Sequence, residues 1–249
     1  MVDPGPTYCK NCGAKAKDSF CAQCGQRSSV YKVTFKDTFN DLTDNLFSHS
    51  APLPITFRKL VLNPGALFRE YLSGKRKKYY RPISFFILST LIYLFIRWVV
   101  DFDDYVEIQV GGNKGKIDLE LFSHAREYMF QNIKSLAFIL VFTQAVFLKL
   151  FFRRNHTLAE YIAVSFYLNG FYSLLASINL FFIKYVNPKI QFLAMVVMCA
   201  YFIYVMISFF KNQRLRVGLK SFAVYWLAYG AYAILAIIIS YLIIMLEQP

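Results

Sequence analysis

Residues 190–210 read IQFLAMVVMCAYFIYVMISFF, an unbroken run of 21 residues without one charged side chain. A helix rises ~1.5 Å per residue, so this run reaches across the ~30 Å hydrocarbon layer of a bilayer. It is apolar on every face, which a helix tolerates only when wholly buried or wrapped in lipid. Working outward, four more apolar runs occupy residues 83–100, 135–152, 161–183 and 221–246, the first two being the shortest. The chain of 249 residues is 57% hydrophobic and 18% aromatic, more apolar than soluble domains generally are. These runs predict an all-α integral membrane bundle of about five transmembrane helices over residues 83–249.

The formal charge of +13 is distributed along the chain in a way that speaks to topology. Arg69, Lys75, Arg76, Lys77, Lys78 and Arg81 precede the first span; Lys149, Arg153 and Arg154 follow the second; Lys211, Arg214, Arg216 and Lys220 follow the fourth. The alternate loops hold fewer: Lys114, Lys116, Arg126 and Lys134 in one, Lys184 and Lys189 in the other. Lysine and arginine accumulate on the cytosolic side, so the N-terminus is expected inside and the C-terminus outside. Topology thus accounts for most of the charge, and no nucleic-acid partner is expected. Lys75, Arg76, Lys77, Lys78 and Arg81, with Arg153, Arg154 and His156, are candidate contacts for anionic lipid headgroups, although every inside-facing anchor has this composition. The opening Met-Val-Asp-Pro-Gly-Pro leads into polar, cysteine-rich sequence, so no cleaved secretory signal is expected.

Residues 1–29 carry Cys9-Lys-Asn-Cys12-Gly13 and Cys21-Ala-Gln-Cys24-Gly25. Each Cys-x-x-Cys pair can bend two thiolates toward one ion, and each following glycine permits the tight turn this requires. Cys9, Cys12, Cys21 and Cys24 therefore read as the ligands of a Zn²⁺ ribbon, with iron the less apt occupant. Two disulfides or a redox dithiol are the competing readings, and a cytosolic location argues against stable disulfides.

Residues 30–82 read as cytosolic amphipathic helices and a basic anchor. Phe35, Phe39, Leu42 and Leu46 recur at helical spacing between Val33 and Ser48, opposite Lys36, Asp37, Asp41 and Asp44. Ile55 to Leu72 continues the pattern, broken by Asn63-Pro64-Gly65 into two short helices that either lie on the membrane or pack beneath the bundle. The loop 101–134 alternates in Val106–Val110, turns at Gly111-Gly112-Asn113 and resumes through Lys116 to Leu119, a signal for a short external β-hairpin cap.

An offset of 60 residues lays Ala163-Val164, Gly170, Tyr172 and Leu175-Ala176 on Ala223-Val224, Gly230, Tyr232 and Leu235-Ala236. This is either a duplicated helical hairpin or a chance likeness of apolar segments. The offset relates the faces carrying Ser165, Asn169, Tyr172 and Ser173 on one span to Tyr225, Tyr229 and Tyr232 on the other. The two faces serve as interhelical glue or as the lining of a cavity. The last three spans have no ionisable residue in their middles, which disfavours ion-coupled transport. Around His156, Thr157-x-x-Glu160 has the form of a capping box; the rival reading places a lipid phosphate between Arg153, Arg154 and His156 with Glu160 as base. No serine elbow, phosphate loop, HExxH or kinase motif occurs.

Taken together, the two Cys-x-x-Cys-Gly pairs ending in Gln26, the Asn63-Pro64-Gly65 turn, Gly74-Lys75-Arg76 with Tyr79–Pro82, and His156-Thr157-x-x-Glu160 resemble a family of uncharacterised bacterial membrane proteins with a zinc-ribbon head. The resemblance spans most of the chain and implies a bacterial inner-membrane location without an established activity. The plan of five spans with a cytosolic N-terminus is also similar to membrane-trafficking proteins of the Yip type, without shared motifs.

The expectation is a non-enzymatic membrane adaptor or scaffold whose ribbon engages a protein partner and whose bundle contacts membrane lipids. The alternatives are a transporter or channel for a lipid or neutral solute and, third, an enzyme acting on a lipid headgroup.

Overall fold

A computed structural model describes residues 7–16, 18–28, 52–100, 102, 133–153, 155–187, 190, 192–211 and 213–247. The amphipathic helix expected at 33–48 and the hairpin cap expected within 101–134 lie outside the described residues, as do the side chains of Arg154 and Lys189.

The ribbon contains β1 (Thr7–Tyr8) paired antiparallel with β2 (Lys15–Ala16), Thr7 opposite Ala16. A second bridge joins Phe20 to Arg27. Among the described residues its hydrophobic cluster has Cys9, Ala16 and Cys21 buried, with Ala14 and Cys24 packed against them, far too little apolar surface to fold such a segment unaided.

The Asn63-Pro64-Gly65 break separates α1 (Pro52–Leu62) from α2 (Pro64–Leu72). Pro64 occupies the first helical turn, where its missing N–H is not needed, and the Asn63 side chain accepts from the Ala66 amide at 3.2 Å. All five apolar runs are helical: α3 (Pro82–Val99), α4 (Ile133–Phe151), α5 (Leu158–Tyr185), α6 (Leu193–Phe210) and α7 (Arg214–Glu247). Of these, α3, α5, α6 and α7 are long and apolar enough to cross a membrane; α4 is apolar over the shorter Ala137–Phe151. Both α5 and α7 begin before their apolar runs, because polar turns at Leu158–Glu160 and Arg214–Lys220 prolong them.

The centre of the bundle is α5, buried at every position from Ala159 to Gly170. Gly170 allows α3 to approach closely: a Cβ there would stand 2.7 Å from Cδ1 of Phe85 and 3.1 Å from Cα of Phe86. Phe85, Phe86, Phe166, Tyr167, Phe202 and Tyr225 fill the surrounding core. On the outside, α7 exposes Phe222, Trp226, Ile234, Ile238 and Leu242, the apolar surface that a lipid-facing helix presents.

Beneath the bundle, α2 packs against the end of α6. Gly65 lies so near Ser208 that a Cβ would come within 2.4 Å of its carbonyl carbon. Nη1 of Arg69 donates to the Phe209 carbonyl at 2.9 Å and also to that of Ser208. A cation there satisfies carbonyls that the helix terminus leaves unpaired. Packing beneath the bundle, one of the two arrangements expected for this segment, is what α2 adopts.

Candidate metal centre

Each Cys-x-x-Cys-Gly segment folds into the same turn. The Gly13 amide donates to the Cys9 carbonyl and the Gly25 amide to the Cys21 carbonyl, both at 2.8 Å. The Cys9 amide donates to Ala14 and the Cys21 amide to Gln26, again both at 2.8 Å. Gly13 and Gly25 sit at φ of +79° and +67°, the left-handed region that glycine enters without strain.

These turns bring all four sulfurs within 4.8 Å of one another. Sγ of Cys9 lies 3.6 Å from that of Cys24, and Sγ of Cys12 lies 3.5 Å from that of Cys21. The edge of a tetrahedron with ~2.3 Å metal–sulfur bonds is about 3.8 Å, so the cluster has the size of such a site. None of the four is in a disulfide, and these separations exceed the ~2.05 Å of an S–S bond. Four soft donors fill a tetrahedral shell and leave no position for substrate, the pattern of a structural rather than a catalytic centre.

Thiols this close do not ionise together. The Cys24 amide foremost, then the Gln23 amide and the Cys12 thiol, bring Cys21 down to about 7 against opposing desolvation. The Ala14 amide also acts to lower Cys12, yet desolvation and the sulfurs of Cys21, Cys24 and Cys9 outweigh it and push that thiol up to about 12.

Gln26, directly after the second turn, fastens the ribbon to the rest of the protein. Its side chain is buried. Nε2 donates to the Gly74 carbonyl at 2.9 Å, while Oε1 accepts from the amides of Arg76 and Lys77, each at 3.1 Å. One side-chain amide therefore satisfies three backbone groups of the basic loop ahead of α3. Gly74 adopts φ of +111°, which permits the turn.

The far side of this loop is anchored to the bundle and its underlying helices. Oε2 of Glu70 accepts from Nζ of Lys78 at 2.7 Å and from the Tyr79 hydroxyl at 2.8 Å. The Lys78 hydrogen bond, followed by the Tyr79 bond and the charges of Lys78 and Lys75, holds Glu70 below the ordinary carboxylate value despite some desolvation. The Thr56 hydroxyl accepts from the Tyr80 amide at 2.8 Å, and the Tyr167 hydroxyl donates to the Tyr80 carbonyl. Of the headgroup candidates here, Lys77 is exposed, whereas Lys75, Arg76, Lys78 and Arg81 are partly covered.

The capping box is formed. The Thr157 amide donates to Oε2 of Glu160 at 2.8 Å, and the Glu160 amide donates to the Thr157 hydroxyl at 3.3 Å. Nδ1 of His156 stands 3.3 Å from the same carboxylate oxygen, and its ring stacks on Phe209 with centroids 5.0 Å apart. Lys149 bridges the turn, donating to the carbonyls of Arg153 and His156 at 2.7 Å each. Arg153 is exposed.

Asn169, Tyr172, Tyr225 and Tyr229 of the polar stripe are drawn into helix–helix contact, whereas the Ser173 hydroxyl donates within its own helix. Nδ2 of Asn169 donates to Oε1 of Gln144 on α4 at 2.8 Å and to the Ser165 carbonyl at 2.9 Å. Tyr172 meets Tyr229 edge-on at 6.2 Å; Tyr229 in turn contacts Tyr225 at 4.6 Å and Tyr232 at 6.5 Å. The Tyr225 hydroxyl donates to the Met195 carbonyl at 2.8 Å. The paired glycines of the 60-residue offset differ in setting: Gly170 is pressed against α3, whereas a Cβ on Gly230 would meet nothing within 4 Å.

Sequence reasoning missed Gln26, Arg69 and Gln144. Gln144 was detectable as the lone amide in an apolar run, and Gln26 as the long polar side chain that follows the second glycine where the first knuckle has Ala14.

Residues 53–94 match the family described as a protein of unknown function, DUF3667. The matched segment comprises nearly all of α1, with α2, the basic loop and most of α3, so it is the seat on which Gln26 holds the ribbon. No curated protein and no solved structure matches the chain.

Proposed function

We propose that this chain is a non-enzymatic membrane scaffold of the bacterial inner membrane, with five spans, its N-terminus cytosolic and its C-terminus external. Its ribbon holds Zn²⁺ through Cys9, Cys12, Cys21 and Cys24 and presents a fixed surface to a cytosolic or membrane protein partner, while the bundle and the basic residues of the 75–81 loop engage membrane lipids. The observation that carries this reading is the Gln26 contact, which joins a centre of structural type to the loop that opens the first span. A ribbon so fastened is a rigid extension of the bundle. The all-sulfur donor set favours zinc over harder ions.

Two further observations favour a scaffold over the alternatives. Asn169, Tyr172, Tyr225 and Tyr229 are engaged between helices, as interhelical glue would be, which weakens the reading of a solute path. Glu160 is committed to the Thr157 cap, which weakens its assignment as a base acting on a lipid headgroup.

The test is mass spectrometry of material purified from native membranes, comparing the full chain with Cys21→Ser/Cys24→Ser. Bound zinc and a stoichiometric protein partner, both lost in the variant, are expected. A lipid or neutral solute retained by both forms, with no protein partner in either, overturns the scaffold in favour of transport or lipid handling.

A further inference from the structure

We propose that the ribbon is a metal-dependent latch on its own membrane-proximal loop: Gln26 holds Gly74–Lys77 only while the four cysteines hold their ion. This rests on the reading of those cysteines as a metal centre.

The argument begins with what keeps Gln26 in place. Its backbone carbonyl closes the second knuckle by accepting from the Cys21 amide at 2.8 Å, so the turn that shapes the metal site also aims this side chain. The turn has little else to sustain it, since among the described residues only Cys9, Ala16 and Cys21 are buried in the ribbon's cluster. Ligand thiolates that close such a short segment supply its folding free energy through the metal. Removal of the ion releases the knuckle and with it the side-chain amide; the Lys77 amide then passes to water, while the Arg76 amide keeps its 2.9 Å bond to the Gly74 carbonyl.

The loop has no comparable dependence on the metal from its other side. Glu70, Lys78 and Tyr79 form a separate anchor, and Tyr80 is held by Thr56 and Tyr167. The amides of Gly74, Lys75 and Arg76 keep their own bonds to the carbonyls of Tyr71, Glu70 and Gly74, so loss of metal loosens the loop at Lys77 while Lys78–Arg81 and the start of α3 remain fixed. The device acts at the end of the cationic turn Lys75-Arg76-Lys77.

Linkage makes the coupling reciprocal: whatever factor the metal contributes to closing the latch, closure contributes to metal affinity. Three hydrogen bonds to one amide set that factor at between about tenfold and a thousandfold. Gln26→Ala should weaken zinc binding by this factor and still leave the site saturable.

The experiment is hydrogen exchange at single-amide resolution on the full chain in lipid nanodiscs, with zinc content measured on the same samples. With zinc bound, the Lys77 amide is protected; after EDTA removes it, this amide exchanges at least about tenfold faster while Ala163–Leu168 of α5 stay protected. Zinc-saturated Gln26→Ala shows the same fast exchange at Lys77 with the metal retained. Gln26→Glu, which can accept from both amides but cannot donate to Gly74, restores part of the protection.

If zinc leaves and the Lys77 amide stays protected, or if zinc-saturated Gln26→Ala protects it as the native chain does, the latch is refuted while the metal centre stands. A chain that binds no zinc refutes the metal centre and the latch with it.

Discussion

Asn169 on α5 donates its side-chain amide to the side-chain carbonyl of Gln144 on α4 across 2.8 Å, with both residues buried. In lipid, such a bond between helices contributes about 0.6 kcal/mol on average and up to about 1.7. Asn169→Leu leaves the Gln144 carbonyl without this donor and should lower stability by about 1–2 kcal/mol in detergent unfolding titrations. Adding Gln144→Leu to that variant should recover most of the loss, because no polar group is then stranded. A double variant as unstable as the sum of the singles would show that the pair does not act as a unit.

The two glycines related by the 60-residue offset should respond in opposite senses. Gly170→Ala forces a methyl to 2.7 Å from Phe85 and should cost about 1–3 kcal/mol by overpacking. Gly230→Ala meets open space and should be neutral or stabilising by up to about 1 kcal/mol, from helix propensity alone. Thermal unfolding of the two variants side by side decides this, and equal destabilisation would contradict the packing described for Gly230.

Glu70 gives the loop an acid limit. Its carboxylate lies below the ordinary value in the folded protein, chiefly through the Lys78 hydrogen bond. A depressed folded pKa contributes stability above the unfolded value of ~4.3, lost as pH falls through the folded one. The side chains of Lys78 and Glu70 are 39% and 27% exposed, so screening reduces the contribution to about 0.5–1 kcal/mol. Melting temperatures measured from pH 7 down to 3 should show a decline below pH ~4.3 that is shallower in Glu70→Gln.

Metal removal should separate the ribbon from the bundle. The described ribbon residues include only the short strands Thr7–Tyr8 and Lys15–Ala16, whereas α1 to α7 supply the helical signal. EDTA or Cys24→Ser should therefore leave the far-ultraviolet circular dichroism nearly unchanged while ribbon resonances collapse to unfolded positions. Loss of a large share of helicity would mean that the bundle depends on the metal.

Local chemistry was legible in the sequence. The Cys-x-x-Cys-Gly spacing foretold the two turns, Asn63-Pro64-Gly65 foretold the break between α1 and α2, and Thr157-x-x-Glu160 foretold the cap, because each depends on residues a few positions apart. The apolar runs foretold the five helices of the bundle, though not their lengths: polar turns at Leu158 and Arg214 extend α5 and α7 without changing hydropathy. What escaped were partnerships between distant positions. Nothing near Gln26 names Gly74, and nothing near Arg69 names Ser208 or Phe209. Periodicity reports which face is apolar, but not which carbonyl an amide or guanidinium will find across the fold.

The two knuckles of the ribbon are near-copies, with matching turn bonds and left-handed glycines, and an object of that kind has two equivalent ways to be set down. Ala14 and Gln26 occupy the corresponding places, each accepting a backbone bond from the first cysteine of its knuckle. A methyl cannot reach the three backbone groups that the longer amide reaches. One side chain thus acts as a key: it makes two near-copies unequal, seats the second knuckle on the Gly74–Lys77 loop, and leaves Tyr8 and Lys10 of the first exposed.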